Sequence, residues 1–102
     1  MNPRFLRLSE RALRDLDSRA AVLLRERGPE FAKQYCDLLL VWLEQAAFSG
    51  AQLGTQVGEQ KHLRAFGYRR QATVLADFTE DQMRIVRIYF RGQDWQSDFR
   101  KP

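Results

Sequence analysis

The spacing of apolar positions changes period along the chain, and each change marks an element. Residues 4–8 (RFLRL) place Phe5, Leu6 and Leu8 in a short apolar segment that predicts a strand ending at Ser9. Ser9 can accept a hydrogen bond from the free N–H groups of a first helical turn, and Glu10 suits the positive end of a helix. Leu13, Leu16, Ala20, Leu23 and Leu24 then recur at helical spacing, with Arg11, Arg14, Asp15, Arg19, Glu26 and Arg27 filling a solvated face. Gly28-Pro29 closes this helix and opens the next, and so short a link predicts an antiparallel helical hairpin. In the second helix Phe31, Tyr35, Leu38, Leu39, Trp42 and Ala46, widened by Leu40 and Leu43, form an apolar stripe broad enough to be core.

From residue 61 the period falls to two. Residues 49–60 hold three glycines and no period, which predicts one long connection. They contain neither GxxxxGK[ST] nor GxGxxG, so a phosphate-cradling loop is not indicated. A strand over 61–66, a turn at Gly67, a strand over 70–77, a polar turn over 79–82 and a last strand predict an antiparallel meander. In the last strand Arg84, Val86, Ile88 and Phe90 fall on one face, and Met83, Ile85, Arg87, Tyr89 and Arg91 on the other. Asp77, Glu80 and Asp81 read as turn formers.

The element order is therefore strand, helix, helix, strand, strand, strand, an α+β fold in one domain over residues 1–102 with a helical hairpin on one face of the sheet. No predicted element covers the other face. Arg87, Tyr89 and Arg91 are expected there, facing solvent or a partner, and Trp95 and Phe99 show that the tail is not a purely solvated end.

Composition narrows the chemistry. The longest apolar run, Leu38 to Leu43, is far shorter than the roughly 18 residues of a membrane span, and residues 1–9 lack a signal-peptide core, so a cytoplasmic protein without a membrane partner is expected. One cysteine, Cys36, and one histidine, His62, supply neither an internal disulfide nor a zinc ligand set, and no metal or cofactor is expected. Cys36 in a helical apolar run reads as packing. The net charge of +4, with most of the 17 basic residues arginine, favours an anionic partner: nucleic acid, an acidic protein surface or an acidic peptide.

Two stretches carry a family resemblance. The opening FLRLSERALRDL resembles the start of the RelE/ParE toxins of bacterial type II toxin–antitoxin pairs. HLRAFGYRR followed by MRIVRIYFRGQDW is similar to that superfamily's Leu-Arg-x-Phe, Gly-Tyr-Arg and Ile-x-Arg-Val…Arg-Asp-Trp elements, in the same order and at similar spacing. The resemblance spans nearly the whole chain and implies a toxin neutralised by a cognate antitoxin.

The superfamily has two main activities, and the residues bear on both. RelE-like members cleave messenger RNA on the ribosome without a metal, and the resemblance places Lys61, Arg64 and Arg69 near their basic positions, with Tyr89 as a substitute for a tail tyrosine. Such cleavage needs a base for the 2′-hydroxyl as well as cations, and His62 is the one side chain whose ordinary pKa suits neutral pH. ParE-like members inhibit DNA gyrase by binding. Gln93 stands where a nuclease-type arginine is expected and the tail has no tyrosine, so the RGQDW ending favours the ParE-like reading. Phe90 and the tyrosine-free segment 71–76 depart from ParE. On that reading Arg69, Arg70, Arg87, Arg91 and Trp95 contact the target, and Phe5, Trp95 and Phe99 anchor the antitoxin. The remaining alternative is a non-toxic basic nucleic-acid-binding module.

Overall fold

A computed structural model of the protein describes residues 4–49 and 54–91, the side chains of Ser49 and Lys61 excepted. Its elements run β1 (Phe5–Leu8), α1 (Glu10–Arg27), α2 (Pro29–Ser49), β2 (Thr55–Val57), β3 (Gln60–Tyr68), β4 (Ala72–Phe78) and β5 (Gln82–Phe90). The expected α+β architecture is present, as one sheet in the order β1-β5-β4-β3-β2. β3, β4 and β5 form the predicted meander, while β1 lies parallel to β5, from Phe5 opposite Gln82 to Leu8 opposite Ile85.

Ser9 makes the transition from β1 to α1. Its N–H donates to the Ile85 carbonyl at 2.9 Å, and its hydroxyl both accepts from Ala12 N–H at 3.0 Å and donates to the Val86 carbonyl at 2.8 Å. One residue thus caps a helix and satisfies the sheet edge beside it. The helices pack their apolar stripes on one face of the sheet: Ala12, Leu16, Leu39, Leu43, Ala46 and Ala47 against Phe66, Tyr68, Val74, Phe78, Met83, Ile85 and Ile88, all buried. Trp42 meets Tyr68 with ring centroids 5.0 Å apart and Phe66 at 5.6 Å, so the aromatics of α2 lie on β3. Leu38 departs from the predicted stripe and is exposed.

Four expectations about the strands are corrected. The connection over 49–60 contains β2, which is only three residues long and offers one buried apolar residue, Val57, too little for a periodic signal. Gly67 is not a turn residue but a strand residue opposite Thr73; the chain reverses at Arg69 and Arg70, both at positive φ (47° and 60°), closed by Gln71 N–H donating to the Tyr68 carbonyl at 2.7 Å. Next, β5 does not keep one alternation. Ala76 pairs with Ile85 but Leu75 with Arg87, so Val86 is an extra residue, and the phase slips by one position. Met83 and Ile85 before the bulge, and Ile88 and Phe90 after it, consequently all join the core under the helices.

The last correction concerns the sheet's open face. It carries an apolar cluster of its own, in which Val57, Leu63, Ala65, Leu75 and Tyr89 are buried with Val86 packed against them. Tyr89, expected to face solvent, is only 4% exposed.

Candidate functional site

Beyond the Leu8–Ile85 pair, residues 86–90 of β5 have lost β1 as a neighbour, and α1 takes its place. Asp15 on α1 accepts from Ile88 N–H at 2.9 Å and from Arg87 Nε and Nη2 at 2.8 and 3.1 Å. A carboxylate with three donors, one a backbone group of a strand edge, holds α1 to β5 at a fixed register. Arg87 in turn lies over the Tyr89 ring, 4.5 Å from its centroid.

One turn along the helix, the Arg19 guanidinium lies 5.6 Å from the Phe90 ring centroid and 6.0 Å from that of Tyr35. Arg19 Nε and the Tyr35 hydroxyl are buried without a hydrogen-bond partner among the described residues. Burial pushes the Tyr35 hydroxyl pKa above its ordinary value, and the nearby Arg19 charge opposes that shift.

The β3–β4 turn brings further arginines to the same end of the sheet. Type I′ geometry puts both central residues at positive φ, and glycine or asparagine relaxes into it where a bulky side chain is strained. Here both positions are arginine. Arg69 rests over the Tyr68 ring at 5.6 Å, and Arg91 N–H donates to the Gln71 carbonyl at 2.8 Å, which ties the end of β5 to the turn.

Two cavities follow from this arrangement. One, of about 500 Å³, is lined by Arg69, Arg70, Thr73, Tyr89 and Arg91 among others. The second, of about 380 Å³, lies between α1 and β5 and is lined by Arg11, Asp15, Ser18, Arg19, Arg87 and Arg91 among others. Phe90 and Arg91 belong to both. Six arginines and one carboxylate line the pair, and Arg11, Arg19, Arg69, Arg70 and Arg91 form no salt bridge among the described residues. A shallow cleft with this charge suits oxyanions.

The residues expected from sequence divide accordingly. Arg69, Arg70, Arg87 and Arg91 gather at the cleft. The nuclease set divides: Arg69 and Tyr89 both line the first cavity, with Tyr89 buried beneath Arg87, whereas Arg64 lies toward β2, its Nη2 donating to the Gly54 carbonyl at 2.7 Å. The Lys61 side chain lies outside the described residues, as do Trp95 and Phe99, while His62 is exposed. Phe5 is 75% exposed on β1, the edge strand of the sheet among the described residues. Sequence reasoning missed Arg11, Asp15 and Arg19, which it placed on a solvated face. Their recurrence at intervals of four, directly beside the buried positions Ala12 and Leu16, was the available signal.

The architecture has a counterpart among solved structures. A chain from a solved structure described as a chromosomal ParDE TA system from P. aeruginosa superposes with a TM-score of 0.71 at 18% sequence identity, over 85% of this chain and 95% of that one. At that identity the likeness is one of fold. No family model matches the chain, and no curated protein matches it. Among the described residues no helix is long and apolar enough to cross a membrane.

Proposed function

We propose that this chain is the toxin of a type II toxin–antitoxin pair, acts by binding DNA gyrase, and is neutralised by a cognate antitoxin. The observation that carries the toxin reading is the fold likeness to a chain of a ParDE system over 95% of that chain, in agreement with the sequence resemblance at both ends of this one. Binding rather than RNA cleavage is supported by two members of the nuclease set: Arg64 is turned toward Gly54 and does not line the cavity that Arg69 and Tyr89 share, and the Tyr89 ring is buried under Arg87. A cation held away from the reacting phosphate does not stabilise its transition state. Antitoxin contact is assigned to exposed Phe5 on β1 together with Trp95 and Phe99, and target contact to Arg69, Arg70, Arg87, Arg91 and Trp95.

Two tubes test the choice. Purified protein is incubated with gyrase and supercoiled DNA in one, and with translating ribosomes and messenger RNA in the other. Gyrase-dependent cleavage or lost supercoiling with intact message is the expected result; message cleavage at the ribosome assigns the chain to the RelE-like activity instead. Expression in bacteria with and without the neighbouring gene's product tests the toxin reading itself, which fails if the chain alone leaves growth unchanged.

A further inference from the structure

The doubled arginine cleft has a composition that says what fills it. Arg69 and Arg70 line the first cavity from left-handed positions where asparagine and glycine are relaxed, so two arginines are kept there at a conformational cost. Arg91 lines both cavities, and Arg19 lines the second with its guanidinium 5.6 Å from the Phe90 ring centroid. No carboxylate among the described residues forms a salt bridge with any of these four. The aromatic residues are in the wrong state for nucleic acid: Tyr89 is 4% and Phe90 7% exposed, so neither presents a ring on which a base can stack.

We propose that the cleft between the β3–β4 turn and the α1–β5 seam binds an acidic peptide segment of a partner protein, seating one carboxylate against Arg69, Arg70 and Arg91 and a second against Arg91 and Arg19. Guanidinium forks donate pairs of parallel hydrogen bonds to carboxylates, and an extended acidic segment presents carboxylates without needing a ring-stacking surface. The inference rests on the reading that the chain works with a protein partner, and it assigns that partner's contact chemistry at a site separate from Phe5.

An octamer of glutamate serves as the probe, titrated into the full chain by calorimetry at several salt concentrations. R69N/R70G/R91A is the test variant, because the first two changes suit the turn and the third leaves the Arg91 backbone bond to Gln71 in place. R7A/R14A/R25A removes the same number of charges from exposed positions that line neither cavity. Expected are salt-sensitive binding to the native chain, at least a tenfold loss in the first variant and less than threefold in the second. Equal losses in both variants, absence of binding, or tighter binding of a single-stranded DNA octamer each overturn the proposal. Growth arrest on expression reports separately on the toxin reading: arrest without octamer binding sinks the cleft assignment alone, and octamer binding without arrest sinks the toxin reading alone.

Discussion

Replacing Asp15 by Ala tests the contact on which the α1–β5 seam depends. The carboxylate accepts from Arg87 Nε at 2.8 Å, Arg87 Nη2 at 3.1 Å and Ile88 N–H at 2.9 Å, and the paired side chains of Arg87 and Asp15 are 17% and 12% exposed. Breaking a fully buried pair by deleting one partner costs about 3–5 kcal/mol because a charge is left uncompensated. The remaining exposure lets water reach Arg87, which reduces this to about 2–3 kcal/mol, and an orphaned Ile88 N–H adds about 1 kcal/mol. The expected loss is therefore about 3–4 kcal/mol, a large part of the stability of a small domain, read from urea unfolding followed by circular dichroism. Asp15→Asn keeps an acceptor for Ile88 and should lose about half as much. In the double variant D15A/R87M the stranded charge is gone, so its loss should fall short of the sum of the single losses by at least about 1.5 kcal/mol. A D15A loss below about 1 kcal/mol, or single losses that add within about 0.5 kcal/mol, would refute the seam as described.

Gly54→Ala should cost about 3 kcal/mol or more, since a Cβ there would lie 2.1 Å from the Ala65 carbonyl oxygen at a φ of +72°, whereas Gly58→Ala, at φ +58° in open space, should cost about 1–2 kcal/mol; similar midpoint shifts for the two would contradict the close approach. R69N/R70G without the third change should raise stability by about 1–2 kcal/mol, because both residues sit at positive φ; an unchanged or lower urea midpoint would remove the strain argument. Cys36 should react with a disulfide reagent more slowly than glutathione at mildly alkaline pH and reach a normal rate only in denaturant, since burial, helped by Asp37 and Asp17, raises its thiol pKa and lowers its thiolate fraction. Fast labelling of the folded chain would mean that the thiol is open to solvent.

How much of this was legible in the sequence depends on the length scale of the signal. Both helices and their boundary were readable because Ser9, Gly28 and Pro29 act locally and the apolar stripes are long. The meander was readable as well. Its turn was not placed, because Gly67 is the obvious breaker while the actual reversal uses two arginines, and their left-handed conformation is imposed by the pairing of β3 with β4 rather than chosen by the residues. The bulge at Val86 was equally hidden. MRIVRIYF alternates well enough to support one phase throughout, and only the register against β4 shows that a residue is left over.

The cleft itself was half legible, and the missing half follows from a mismatch of strand lengths. β1 has four residues and β5 nine, so their parallel pairing stops at Ile85 and leaves the rest of β5 with an edge that no other strand among the described residues completes. An unpaired edge of backbone N–H and C=O groups packed beside a helix must find partners. Ser9 supplies one for Val86, and Asp15, on the same helix, supplies one for Ile88. Once Asp15 is fixed there, the i−4 and i+4 positions of α1 bring Arg11 and Arg19 alongside β5, while the bulge turns Arg87 toward the same carboxylate. The arginines of the turn and of β5 could be found by their charge. Those of α1 become part of the site only because a short first strand hands its edge over to a helix, and that relation connects residues 72 and 73 positions apart in the chain.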